Sequence, residues 1–130
     1  MGCDIHCFVE KKIDGVWQSV GEEEDVWRSY TLFGALASVR REYPGISKEP
    51  LGFPADASSE VRTEYKTWDC DAHSASHMTL EELEVLTLAS SLSDSALADG
   101  VPGSLKDFID TIFPDGADRN SYRAVFWFDN

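Results

Sequence analysis

The dipeptide Asp14-Gly15 is the feature of this sequence that most constrains its fold. It separates two strand-like runs, residues 3–10 and residues 16–20. A two-residue Asp-Gly loop favours a turn with positive φ at both positions, and the twist of that turn matches the right-handed twist of paired strands. The sequence therefore predicts that a β-hairpin opens the chain.

The first of these runs alternates in a way that predicts a half-buried strand. Because successive side chains of a strand point to opposite faces, one face carries Cys3, Ile5, Cys7 and Val9, and the other carries Asp4, His6, Phe8 and Glu10. Cysteine packs as a small apolar residue, so we expect the two cysteines in a core. After the second strand, Gly21 and the four acidic residues 22–25 predict a solvated loop.

Apolar positions at helical spacing, bounded by capping or helix-breaking residues, predict four helices. The first covers residues 31–41, and the second follows Asp56 and Ser58 and covers residues 60 to about 65. The third begins at the capping box of Thr79 and Glu82 and ends within residues 90–100. The fourth covers residues 105–112, between Ser104 and Pro114. Residues 46–55, with two prolines and a glycine, and the polar residues 68–76 are expected to be irregular.

The C-terminal residues 122–128 are aromatic and β-branched, which is typical of a strand. We expect this strand to join the N-terminal hairpin. The order of strands, helices and a last strand predicts an α+β fold in which a small antiparallel or mixed sheet packs with about four helices. A length of 130 residues corresponds to a single globular domain, residues 1–130.

The net charge, the hydrophobic pattern and the cysteines indicate which partners and which compartment suit this chain. With 11 Lys and Arg against 24 Asp and Glu, the net charge is −13, which disfavours direct binding to nucleic acid or to an anionic membrane surface. No apolar run approaches the roughly 20 residues that span a bilayer. Three cysteines do not suit a disulfide framework, so we expect reduced thiols and a cytoplasmic protein.

One short pattern occurs twice, as Cys3-Asp4-Ile5-His6 and Cys70-Asp71-Ala72-His73. In an extended segment the Asp and His of each copy point the same way, with Cα atoms about 6.6 Å apart. If the two copies face each other, Asp4, His6, Asp71 and His73 provide two carboxylates and two imidazoles, a donor set that suits Zn²⁺, Mn²⁺ or Fe²⁺. The alternative is that these side chains hydrogen bond to one another or to backbone amides.

A second candidate site is basic. Six of the 11 basic residues lie between positions 28 and 66, where five acidic residues oppose them, so the local balance is +1. We expect a pocket for a small anionic molecule there, with Arg28 or Arg40 making bidentate contacts to phosphate and Trp27 or Tyr30 stacking on a base. Ser74 and Ser76 are further candidate ligand-binding residues. The alternative is that these arginines lie on helix surfaces and form ion pairs with nearby glutamates.

Several segments together resemble a group of small bacteriophage proteins that begin Met-Gly-Cys-Asp-Ile-His. The resemblance covers about residues 1–83 and is carried by residues 1–6, Arg28-Ser29-Tyr30-Thr31-Leu32-Phe33, Val39-Arg40, Asp71-Ala72-His73-Ser74 with Ser76, and Thr79-Leu80 with Glu82-Leu83. It implies a setting, the cytoplasm of a host bacterium, and no particular activity. Small accessory phage proteins often blunt host defences by binding a host protein or sequestering a nucleotide signal.

Three functional hypotheses follow, and no phosphate-loop, dinucleotide-binding, nucleophile-elbow or zinc-protease motif is present to decide between them. The first is a non-enzymatic accessory binder that counters host defence by holding a small phosphate-bearing molecule or a host defence protein. The second is a metal-dependent hydrolase that uses the paired Asp-x-His motifs. The third is an acidic DNA mimic, which is suggested by the net charge and by the acidic runs Glu22 to Asp25 and Glu81 to Glu84. Pairing through the strand of residues 122–128 could also produce a homo-oligomer.

Overall fold

The computed structural model of the protein describes residues 2–93 and 104–130. In chain order, the described elements are β1 Asp4–Ile13, β2 Val16–Glu24, α1 Tyr30–Ala37, α2 Ser59–Trp68, a 3₁₀ turn Asp69–Asp71, β3 His73–Thr79, α3 Leu80–Ser93, α4 Leu105–Ile112 and β4 Tyr122–Asp129. The predicted α+β class, the N-terminal hairpin and the C-terminal strand are confirmed.

The four strands form one antiparallel sheet in the order β2-β1-β4-β3. At the hairpin tip Ile13 pairs with Val16, and both turn residues have positive φ, 51° at Asp14 and 80° at Gly15. The C-terminal strand β4 lies between β1 and β3 at the centre of the sheet and is paired on both sides, so the expectation that it pairs with a second copy is wrong. This position explains why β4 is buried almost throughout.

Both faces of the sheet are covered. The predicted apolar face of β1 packs with α1, α3 and α4 in the main core. The opposite face, which was expected to be largely polar, forms a second core from Phe8, Val61, Ala75, Val125 and Trp127 beneath α2. The central strand β1 is therefore buried on two sides, because a helix on each face shields it from water.

A charged pair is buried beside the second core. Glu10 is fully buried, and its carboxylate accepts hydrogen bonds from Arg123 Nε at 2.7 Å and from the backbone N–H of Ser58 at 2.7 Å. Arg123 also donates to Asp56 Oδ1 at 3.0 Å and stacks over the Trp17 ring. Because Ser58 caps α2, this network joins β1 and β4 to the start of that helix.

The predicted caps are present. Thr79 and Glu82 exchange both bonds of a capping box, at 2.9 and 3.1 Å, and the Ser58 and Ser104 hydroxyls accept from backbone N–H groups three residues on. The third helix reaches Ser93, and the remainder of its predicted end, residues 94–100, lies outside the described residues.

Three local predictions were wrong. The acidic residues 22–24 are not a loop, because β2 continues through them and Glu24 pairs with Cys7. The first helix ends at Ala37, since Ser38 adopts the left-handed conformation, so Arg40 lies outside the helix. The polar residues 68–76 form the end of α2, the 3₁₀ turn and most of β3, which is a strand because β4 offers it a hydrogen-bonding edge.

In the part of the chain that the structure covers, no helix combines the length and the hydrophobicity that crossing a bilayer needs.

Candidate functional site

Polar side chains gather at one end of the sheet. This is where β1 and β3 begin and where β2 and β4 end. The register places Asp4 opposite Asp129, His6 opposite Trp127 and His73 opposite Phe128. We refer to this region as the polar end of the sheet.

His6 connects three strands at the polar end. Its Nδ1 lies 3.0 Å from Glu23 Oε2 on β2, and its Nε2 makes a short contact with Asp129 Oδ2 on β4. The Trp68 ring lies 4.0 Å from the imidazole, centroid to centroid, and covers it from the α2 side. Both ring nitrogens can donate to ionised carboxylates at once only if the imidazole carries two protons. His6 is therefore held between two acidic groups, and we call Glu23, His6 and Asp129 the histidine clamp.

His73 lies at the same end but on the other face. Its ring lies near Phe128, a residue of the main core, whereas His6 lies against rings of the second core. The His73 nitrogens contact Ser74 Oγ at 3.0 Å and Asn130 Oδ1 at 3.1 Å. The sheet itself therefore separates the two histidines.

The predicted four-ligand metal site is not formed. Asp4 is held by Arg28, Asp71 lies in the exposed 3₁₀ turn, and His6 and His73 are on opposite faces. Across residues 2–93 and 104–130, no group of three or more His, Cys, Asp and Glu side chains is arranged to hold a metal ion. The two Asp-x-His copies look alike in sequence, but one lies within a central strand and the other straddles a turn and an edge strand.

Two of the predicted arginines lie near the start of β1, where the charges of both act on Cys3. Arg28 donates from Nε and Nη2 to the two Asp4 oxygens, both at 2.9 Å, and about half of the Arg28 side chain is exposed. The Arg40 guanidinium lies 5.2 Å from the centre of the Tyr30 ring, whose hydroxyl accepts a hydrogen bond from the Cys3 N–H. We call Gly2, Asp4, Arg28, Tyr30 and Arg40 the arginine corner.

The electrostatics of Cys3 and Asp4 show how closely these groups lie. Burial raises the pKa of the Cys3 thiol, Arg40 and Arg28 act in the opposite direction, and Asp129 and Asp4 add to the rise. The hydrogen bond and charge of Arg28 lower the pKa of Asp4 against a smaller opposing effect of desolvation. Two cationic and two anionic groups therefore surround the start of β1.

Two glycines make the close packing of this region possible. A Cβ on Gly2 would lie 1.9 Å from Arg28 Nη1, so the guanidinium lies directly against the Gly2 backbone. A Cβ on Gly34 of α1 would lie 2.7 Å from the Arg41 Cβ and 2.9 Å from its carbonyl oxygen. The chain that leaves α1 can fold back over the helix only because position 34 has no side chain.

The other predicted ligand-binding residues are placed elsewhere. Trp27 is 68% exposed and borders a cavity of about 200 Å³ whose wall also contains Asp25 and Asp107, so its surroundings are acidic rather than suited to phosphate. Ser74 bonds to His73 within the bulge at the start of β3. Ser76 is buried, and its hydroxyl accepts from the Leu51 N–H at 3.0 Å. These two serines hold local structure.

Reasoning from the sequence missed the partners of the predicted residues. Glu23 was assigned to a loop, and Asp129 and Asn130 follow the aromatic run without any motif. Only the register of β2 and β4 against β1 brings Glu23 and Asp129 to His6. A useful signal was available in Gly2, since a glycine beside a motif can mark a close backbone approach.

The acidic runs are partly used inside the fold. Glu23 contacts His6, Glu82 completes the capping box, and Glu84 accepts from Arg119 Nε at 2.9 Å. Three carboxylates of the two runs that suggested a DNA mimic therefore have partners within the chain.

We expect His6→Phe to lower the free energy of unfolding by about 1–3 kcal/mol, because the ring would still pack on Trp68 but Glu23 and Asp129 would lose the polar ring nitrogens that contact them. Urea unfolding followed by tryptophan fluorescence measures this. His73→Phe is the matched control and should cost less, since it removes contacts only to neutral groups. Equal costs for the two substitutions would contradict the histidine clamp.

No family model, curated protein or solved structure matches this chain.

Proposed function

We propose that this protein is a non-enzymatic binder that holds a small phosphate-bearing, nucleotide-like molecule at the arginine corner. The single observation that carries the proposal is that the charges of Arg28 and Arg40 both act on Cys3 at the start of β1, in a chain whose net charge is −13. The two guanidinium groups offset Asp4 and Asp129 locally, so a small anion meets little net repulsion there, whereas the rest of the acidic surface repels long polyanions.

The geometry suits recognition of phosphate. Asp4 engages Nε and Nη2 of Arg28, which fixes the plane of the guanidinium, and about half of the side chain remains exposed to solvent. The Arg40 guanidinium lies over the Tyr30 ring, and arginine can both stack on a base and bind a phosphate oxygen. Bidentate and stacked contacts of this kind are typical of nucleotide recognition by arginine.

The resemblance to small bacteriophage proteins is consistent with this location. Three of the segments that carry it, residues 1–6, residues 28–33 and residues 39–40, provide all five residues of the arginine corner. Sequestering a nucleotide signal of a host defence system is the role that we propose for the site. Binding without catalysis is favoured because the histidines near the corner are occupied by Glu23, Asp129, Ser74 and Asn130.

Titration calorimetry with AMP and with adenosine tests the proposal, because the two molecules differ only in the phosphate. We expect binding of AMP and no detectable binding of adenosine. We expect Arg28→Ala to weaken AMP binding by about 1.5–3 kcal/mol, roughly 10- to 150-fold, the value of one charged hydrogen-bonded contact. The melting temperature should change little, since the pair of Arg28 and Asp4 is about half exposed and solvent screens it.

Gly2→Ala is a sharper variant, because it displaces the guanidinium of Arg28 and keeps its charge. We expect it also to weaken AMP binding.

Native mass spectrometry with a small-molecule extract of bacteria extends the search for the ligand. A ligand that is recovered intact after heat denaturation supports binding without reaction. The proposal fails if no phosphate-bearing molecule binds, or if Arg28→Ala binds as tightly as the natural sequence.

A further inference from the structure

A groove lies between the edge strand β3 and helix α3, on the side of the sheet that carries the main core. Met78 of β3 forms its floor, and Leu51 and Val85, which are 65% and 58% exposed, form its walls. Its volume is about 440 Å³, which accommodates one or two apolar side chains. We call it the β3–α3 groove, and it shares no residue with the arginine corner.

The backbone along this groove is open at one position. The carbonyl of Ala75 accepts from the Gly52 N–H at 2.8 Å, and the Thr79 N–H donates to the Glu82 carboxylate at 2.9 Å, so both groups point away from β4. Backbone groups of a strand alternate in direction with a period of two, so the N–H and C=O of His77 point the same way. Among the described residues, none forms a backbone hydrogen bond with His77 on this side.

A segment of this chain covers the first part of the outer edge of β3 and then turns away from it. Leu51 and Gly52 lie along Ser76 and Ala75 through the bonds of Leu51 N–H to Ser76 Oγ and of Gly52 N–H to the Ala75 carbonyl. The preceding residue is Pro50, which has no N–H to continue the pairing. An extended segment from another molecule could therefore follow the same line next to His77 and place a side chain in the groove.

The charges at the rim indicate what such a segment carries. Glu49 and Glu81 border the groove with a single cation, Lys48, and Glu82 is already engaged by the capping box. A second copy of this chain is disfavoured as the occupant, because, of its two outer strands, β2 ends in three consecutive glutamates and β3 is bordered by Glu49 and Glu81 of the groove itself. We propose that the β3–α3 groove binds an extended peptide segment of a partner protein that presents an apolar side chain flanked by Lys or Arg.

Amide chemical-shift titration of the full chain with two capped pentapeptides, Lys-Leu-Lys-Leu-Lys and Glu-Leu-Glu-Leu-Glu, tests this proposal. We expect saturable shifts with the lysine peptide at the amides of Leu51, His77 and Val85, and none with the glutamate peptide. Val85→Ser should weaken binding at least about tenfold, as loss of a central apolar contact does. Leu88→Ser is the matched control, because Leu88 is also an exposed apolar residue of α3 but does not line the groove, and this variant should bind within twofold of the natural sequence.

Two further variants separate the contributions. Glu81→Gln should weaken binding at low salt and have less effect at high salt, as expected for a charge at the rim. Arg28→Ala should leave peptide binding unchanged, so that failure of this groove and failure of the arginine corner are distinguishable. Equal binding of both peptides, no effect of Val85→Ser, or no binding of the lysine peptide at millimolar concentration would overturn the proposal.

Discussion

Replacing Arg123 with Leu should lower the free energy of unfolding by about 3–5 kcal/mol, because it leaves the fully buried Glu10 carboxylate without its counter-charge. The loss is a large part of the roughly 5–15 kcal/mol that holds a typical domain folded. The N–H of Ser58 would still donate to Glu10, but one neutral donor does not compensate a buried negative charge. Urea unfolding at pH 7, followed by far-ultraviolet circular dichroism, measures the change.

Two variants test whether the unpaired charge of Glu10 causes this loss of stability. Glu10→Leu combined with Arg123→Leu should recover most of the stability, because an apolar pair of similar volume replaces both ions. Asp56→Asn should cost little, since the Asp56 side chain is 66% exposed and water can replace the lost charge. If the double variant is as unstable as Arg123→Leu alone, the pair matters through its shape and its bond to the start of α2 rather than through charge compensation.

Trp127→Ala should cost a similar amount, about 3–5 kcal/mol, because it empties the centre of the second core. The ring is fully buried, and its centroid lies 5.4 Å from that of Phe8 and 5.2 Å from that of Tyr65. Through these contacts Trp127 holds α2 against the sheet. Hydrogen exchange should therefore become faster at the amides of α2 before the rest of the chain is affected, and urea unfolding gives the total loss.

Trp127→Phe is the matched control for this prediction. Trp127 Nε1 has no hydrogen-bond partner within the described part of the chain, so the substitution removes no bond there and only reduces the ring volume. A cost of about 1–2 kcal/mol is expected for the smaller cavity. A cost for Trp127→Phe equal to that of Trp127→Ala would indicate that Nε1, rather than packing, carries the contribution of this residue.

Features that depend on a few neighbouring residues could be predicted from the sequence. The turn at Asp14-Gly15, the capping box of Thr79 and Glu82 and the cap at Ser104 each form from residues within four positions of one another. The two faces of β1 also followed from the alternation of its side chains, including the burial of Cys3 and Cys7. These predictions succeeded because the responsible interactions are local.

Strand β3 could not be predicted in the same way. Its residues, from His73 to Thr79, are mostly polar, and such a run forms a strand only where another strand supplies hydrogen bonds. The extension of β2 through Glu24 has the same origin, since Cys7 of β1 lies opposite that residue. Pairing with a distant segment outweighed the local preference in both cases.

The candidate site shows the same division. Arg28, Arg40 and Tyr30 were proposed as site residues from their residue types, and Asp4 and His6 from their spacing on a strand. Which partner each residue has was decided by tertiary structure: Asp4 meets Arg28, and His6 meets Glu23 and Asp129. The sequence by itself determined the local turns, the caps and the alternation of β1. The strand order β2-β1-β4-β3 decided the rest, because it sets which residues 17 to 123 positions apart become neighbours.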